Sequence, residues 1–168
     1  MNPEQREQLR TIARAMVAPG KGILAMDEST DTCVKRFVDV GIPCSEEDRR
    51  TYRELLITTP GLGSYISGAI LFDETARQKT KEGVSFIEVL KKQGIIPGIK
   101  VDKGAKDLAG FPGEKITEGL DGLRDRLKEY ALLGLQFAKW RAVITIGNAG
   151  NPIPSYGCVK ANAHALAR

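Results

Sequence analysis

Hydrophobic positions along this chain follow two periods that take turns. A helical period marks residues 4–17, where Leu9, Ile12, Ala13, Met16 and Val17 share one face and Gly20 is a plausible stop. A short unbroken apolar run, Gly22-Ile23-Leu24-Ala25-Met26, follows. Helical spacing returns over 31–40, with Val34, Phe37 and Val38 inward and Gly41 ending it. Ser45 can cap a helix carrying Tyr52, Leu55 and Leu56, with Glu46, Glu47 and Asp48 in its first turn. Thr59-Pro60-Gly61-Leu62-Gly63 reads as a turn before the second run, Ile66–Phe72. A helix over about 84–93 leads to the third run, Ile95–Ile99, and a helix over 119–133 leads to the fourth, which begins at Leu135. The apolar runs have the length of buried strands, predicted at 22–27, 65–72, 95–101 and 137–145.

Two stretches break the rhythm. Residues 103–118 hold several glycines, a proline and mixed charges without a period, and read as a functional loop. Residues 147–152 read as a second loop, and Cys158–Arg168 as the beginning of a helix. Strand and helix otherwise alternate, which predicts a parallel sheet with right-handed crossovers, strands adjacent in chain order. A (β/α)₈ TIM barrel takes about 250 residues. Four βα units in 168 residues are therefore expected to be the N-terminal half of a single barrel domain, with no separate second domain.

Each apolar run stops on charge: Asp27-Glu28, Asp73-Glu74, Lys100-Val101-Asp102-Lys103, and Lys139-Trp140-Arg141. A charge at the end of a buried strand is costly unless paired or put to use, and parallel α/β folds carry their chemistry at that edge. Gly98, Lys100 and Asp102 alternate and so face one side, as do Lys139 and Arg141. Lysines on adjacent strands would depress one another's pKa, one route to a reactive amine. Asp27 opposite them could move a proton to or from a hydroxyl. Spacing alone leaves open a structural ion-pair network of Asp27, Lys100 and Lys139, and does not say which lysine forms an imine. Ser29, Thr30, Thr32, Lys35 and Arg36 at a helix start suit a phosphate, or an ordinary capped helix.

Composition narrows the classes. The single histidine, His164, leaves little for a histidine-based zinc site or a Ser-His-Asp triad, so no metal and no cofactor are expected. Cys33, Cys44 and Cys158 form an odd set without metal spacing and read as reduced thiols of a cytoplasmic protein. Basic residues are dispersed among acidic ones at a net charge of +4, which argues against a nucleic-acid face. No run approaches the length of a membrane span, and the opening Met1-Asn2-Pro3-Glu4-Gln5-Arg6 reads as the start of a charged helix and is not expected to be a signal peptide.

The motifs become specific when read together. Gly20-Lys21-Gly22-Ile23-Leu24-Ala25-Met26-Asp27-Glu28-Ser29-Thr30, Gly98-Ile99-Lys100-Val101-Asp102-Lys103-Gly104 and Phe137-Ala138-Lys139-Trp140-Arg141 resemble class I fructose-1,6-bisphosphate aldolase. Gly68-Ala69-Ile70-Leu71-Phe72 and Gly119-Leu120-Asp121-Gly122-Leu123 match that family too, in the same order. The resemblance implies a (β/α)₈ barrel that reversibly cleaves fructose 1,6-bisphosphate to dihydroxyacetone phosphate and glyceraldehyde 3-phosphate in glycolysis and gluconeogenesis. It implies catalytic roles for Asp27, near the C4 hydroxyl, and Lys139, supporting carbinolamine and Schiff-base chemistry. It implies that Lys100 and Arg141 face the C6 phosphate with Ser29 and Thr32, and more loosely Lys35 and Arg36. Asp31 departs from the small residue often found at its position.

The resemblance also implies that the imine-forming lysine, two proton-moving glutamates and the other phosphate site lie beyond Arg168. The 168-residue stretch is then expected to be inactive alone, and the full-length enzyme a homotetramer acting on a small sugar phosphate. Two rivals remain: another lysine-dependent (β/α)₈ lyase of the transaldolase or deoxyribose-phosphate aldolase kind, and a non-catalytic half-barrel that binds a sugar phosphate or a protein partner.

Overall fold

The computed structural model describes residues 1–148 and 150–168; Ala149, inside the loop expected at 147–152, lies outside the described residues. Two compact units divide the chain: Met1–Lys100 with Glu129–Ala138, and Val101–Lys128 with Lys139–Arg168. The elements run α1 Pro3–Met16, β1 Gly22–Met26, α2 Thr30–Asp39, α3 Glu46–Ile57, α4 Leu62–Tyr65, β2 Ile66–Leu71, α5 Asp73–Arg77, α6 Phe86–Lys92, β3 Ile96–Lys100, β4 Ala105–Asp107, β5 Lys115–Thr117, α7 Leu123–Leu133, β6 Phe137–Lys139 and α8 Tyr156–Ala167. The sheet order is β1-β2-β3-β6, adjacent in chain order once the β4–β5 hairpin is set aside. Both β1–β2 and β2–β3 are parallel, as the alternation of strand and helix predicts.

In the first unit the helix starts are set by local chemistry. Asn2 and Ser45 each close a capping box with the residue three ahead, Gln5 and Asp48. Ser85 Oγ accepts the Glu88 N–H at the start of α6. Two short helices were not expected. α4 follows Gly61, whose φ of 75° turns the chain from α3 toward β2. α5 begins directly on the charges that end β2.

Register decides which side of the sheet each side chain takes. Met26 pairs with Leu71, and Leu71 with Ile99. These three are essentially fully buried, together with Phe86, Leu90 and Ile57 from the helices. Burying each such side chain is worth about 1.5–3 kcal/mol, so this helix-covered side carries most of the unit's stability. The opposite face holds Ile23, Ile70, Ile96 and Gly98, and there Ile23 is 42% exposed. The Phe137 ring lies over two glycines of that face: a Cβ on Gly98 would stand 2.3 Å from the ring, and one on Gly68 3.4 Å.

Four expectations from the sequence are corrected after Lys100. Residues 103–118 are not an irregular loop but an antiparallel hairpin, β4 on β5. Its neck is closed by Lys103 N–H donating to the Glu118 carbonyl (2.8 Å) and Glu118 N–H to that of Gly104 (3.0 Å). α8 supports it, with Asn162 Nδ2 donating to the Lys115 carbonyl at 2.9 Å. The helix expected from 119 starts at Leu123, because Gly119 takes a φ of 128° and packs against the Lys103 backbone, where a Cβ would sit 2.9 Å from the amide nitrogen. Arg126 then donates to the carbonyls of Gly119 (2.6 Å) and Val101 (3.1 Å). The strand expected over 137–145 stops at Lys139. Beyond it the Thr117 hydroxyl holds the Arg141 carbonyl at 2.7 Å, a side-chain tie in place of a strand ladder. α8 begins at Tyr156 and not Cys158, because Ser155 Oγ accepts the Cys158 N–H.

Candidate active site

The C-terminal ends of β1, β2 and β3 bring the first set of candidates together. Met26, Leu71 and Ile99 share a rung on the helix side. The next residues, Asp27, Phe72 and Lys100, therefore share the following rung and face the opposite, open side. All three are half-buried. A carboxylate and an ammonium thus stand two strands apart on one level of a parallel sheet, on the side the helices leave uncovered.

The turn after Asp27 continues the site. Ser29 is the N-cap of α2, and its carbonyl accepts the Cys33 N–H at 2.9 Å. Its hydroxyl makes no cap bond; Ser29 Oγ and Thr32 Oγ1 lie 3.1 Å apart and share a hydrogen bond. Two hydroxyls are therefore paired with one another beside the N–H groups of a helix start, a group of donors suited to an anion. Lys35 and Arg36 follow on α2 and are exposed. Arg36 donates through Nη1 to the Glu28 carboxylate.

Glu28 and its partner Arg53 were not among the residues expected from the sequence. Glu28 has the parity of Met26 and turns to the helix side. Arg53 Nη1 donates to its carboxylate, while Arg53 Nη2 donates to the Glu28 carbonyl at 2.9 Å. Arg53 is 2% exposed. Burial pushes the Glu28 carboxyl up, but the Arg53 hydrogen bond and the charges of Arg53 and Arg36 outweigh it and leave the group below its usual range. Arg53 stands four residues before Ile57 and both are buried, so the inward stripe of α3 runs through them and not through Leu55, which is 69% exposed. Cys33, also on this cluster, is buried with its thiol 3.5 Å from Arg53 Nη2, and burial pushes that thiol up.

Lys139 and Arg141 belong to the second unit. Lys139 is half-buried and its carbonyl accepts the Val101 N–H at 3.1 Å. Arg141 is exposed, with its backbone held by Thr117. Trp140 between them is half-buried, and His164 is exposed on α8. Among the described residues no three His, Cys, Asp or Glu side chains gather as metal ligands, and no helix is long and apolar enough to cross a membrane.

Comparison with known proteins gives one answer. The family model for fructose-bisphosphate aldolase class-I matches residues 8–168. A probable fructose-bisphosphate aldolase class 1 of Xanthomonas axonopodis is 68% identical over 96% of this chain and 48% of its own length. A cytosolic fructose-bisphosphate aldolase 4 of Arabidopsis thaliana is 57% identical over 89% of this chain and 37% of its own. The fructose-bisphosphate aldolase of Plasmodium falciparum, solved in complex with TRAP and a small-molecule inhibitor, superposes with a TM-score of 0.95 at 46% identity, covering 99% of this chain and 48% of that one. The chain thus spans about half the length of the curated relatives it matches, and its parallel sheet with alternating helices is that part of a (β/α)₈ barrel. This chain belongs to the class I fructose-bisphosphate aldolase family.

Proposed function

We propose that this chain supplies the N-terminal half of a single barrel domain in a cytoplasmic, metal-independent aldolase that reversibly cleaves fructose 1,6-bisphosphate. The observation that carries this reading is the shared rung of Asp27 and Lys100 on the open face, with the Ser29–Thr32 hydroxyl pair directly after it. In the cleavage direction the C4 hydroxyl must lose its proton as the C3–C4 bond breaks, and its oxygen becomes the aldehyde of glyceraldehyde 3-phosphate. Asp27 is the carboxylate in position for that proton. The bond's electrons pass to an imine on the other fragment, whose lysine we assign to the half of the barrel outside this chain. Lys139 supports carbinolamine and imine formation by its charge.

Phosphate recognition completes the reading. Lys100 and Arg141 supply charge toward the C6 phosphate, Ser29 and Thr32 supply hydroxyls, and Lys35 lies on the first turns of α2. Arg36 reaches the same phosphate only by leaving Glu28. The substrate is a small sugar phosphate, and the assembled enzyme is a homotetramer, as the family resemblance implies.

In a full-length enzyme carrying these residues, Asp27→Ala and Lys139→Ala should each lower turnover at least ~10²-fold, the lower range for acid–base roles. Near-normal turnover in both would reduce these residues to a structural ion-pair network and sink the catalytic assignment.

A further inference from the structure

The residue between Asp27 and Ser29 is held in an unusual way, and this holding depends on α3. Arg53 grips Glu28 twice with one guanidinium: Nη1 donates to the side-chain carboxylate and Nη2 to the main-chain carbonyl, at 2.9 Å. Arg53 is itself fixed. It is 2% exposed, its guanidinium carbon lies 5.3 Å from the centre of the Tyr52 ring, and the Cys33 thiol lies 3.5 Å from Nη2. Tyr52 in turn stands edge-on to Phe37 of α2 at 5.5 Å. Arg36 of α2 reaches the second oxygen of the Glu28 carboxylate. Three elements, the end of β1, α2 and α3, thus converge on one residue.

Stability alone does not account for this arrangement. A buried ion pair is about neutral beside a well-packed apolar pair of the same volume. An apolar side chain at position 53, however, would leave the Glu28 carbonyl without this donor and the peptide after it free to turn. Rotation at residue 28 moves the residues on either side: Asp27 on the open face and Ser29 at the start of α2. We infer that Glu28 and Arg53 are positioning residues that hold the Asp27 carboxylate and the Ser29–Thr32 hydroxyls in fixed relation, so that one rigid turn presents both to substrate. This rests on the proposed function for what the two groups do, but the fixing of the turn is a separate claim with its own readout.

The test uses the 168-residue chain by amide NMR, with inorganic phosphate as probe, comparing Arg53→Lys, Arg53→Met and Glu28→Gln with the parent. Phosphate should shift the Thr30–Cys33 amides saturably in the parent. Its affinity should fall at least tenfold in Arg53→Met, with Arg53→Lys between the two, while β2 and β3 amides keep their positions. Exchange of the Cys33 amide with solvent should quicken at least tenfold in Arg53→Met and Glu28→Gln. Parent-like phosphate affinity and parent-like Cys33 exchange in folded variants overturn the inference. If phosphate leaves the parent's Thr30–Cys33 amides unmoved, the phosphate reading fails, and Cys33 exchange alone then decides the positioning claim. If none of the three variants folds, the inference also fails, because residues that the whole fold needs are not local positioners.

Discussion

Glu28 shows how much one carboxylate can be asked to do. Taking away its buried partner strands a charge, so Arg53→Met should destabilise the chain by about 3–5 kcal/mol, the usual cost of breaking a buried pair from one side. Chemical denaturation of the variant beside Arg53→Lys measures this, and equal midpoints for all three chains would refute it. The pH dependence has a definite sign. The folded-state carboxyl lies below its ordinary value, so Glu28 stabilises the fold above the ordinary carboxyl range and loses that contribution as pH falls through the folded value. Glu28→Gln should therefore melt lower at neutral pH yet lose less on acidification than the parent. The parent's slope is shared with Glu54 and Glu114, which hydrogen bonds also hold low, so the variant's curve flattens without becoming level. Asp27 and Lys100 were legible in the sequence because a charge ending an apolar run has one natural place, the mouth of a parallel sheet. Arg53 was not, because an arginine in a helix rich in Glu and Arg looks solvated until the helix is docked.

At the scale of elements, the seating of Phe137 makes the sheet's open face testable. Gly98 and Gly68 on neighbouring strands leave the space its ring fills, and a Cβ on Gly98 would stand 2.3 Å from that ring. Gly98→Ala should cost about 1–3 kcal/mol by overpacking. Phe137→Leu in the same chain should recover part of it, with a coupling of at least ~0.5 kcal/mol in a double-mutant cycle. Additive effects would mean that the ring moves aside without strain. The first three strands were readable because their apolar runs are continuous and bounded by turn residues. The hairpin was not: β4 and β5 have three residues each and no apolar alternation. They are held instead by Asp107–Lys115 pairing and by Asn162 from α8, contacts that no local pattern announces. β6 is short for a related reason, since the Thr117 hydroxyl and not a strand partner holds the chain at Arg141.

At the scale of the molecule, the sheet of the first unit is covered by helices on one side and open on the side that carries Asp27 and Lys100. The chain spans about half the length of its relatives, and on the proposed reading this open face is the one turned to substrate. Imine formation needs an amine beside an electrophilic carbonyl and a second group that removes water. Asp27, Lys100 and Lys139 are assigned here to proton transfer and charge, which leaves the covalent step to a lysine of the other half. The 168-residue chain by itself should then cleave no fructose 1,6-bisphosphate, while binding of sugar phosphate through Ser29, Thr32, Lys100 and Arg141 survives, since phosphate contacts do not need the imine. Borohydride reduction in the presence of dihydroxyacetone phosphate, followed by peptide mass analysis, separates the possibilities. No adduct together with retained phosphate binding is the expected result. An adduct on Lys100 or Lys139, accompanied by measurable cleavage, would move the reactive amine into this half of the barrel. Whichever lysine carries the adduct would then be the nucleophile itself and not a supporting charge.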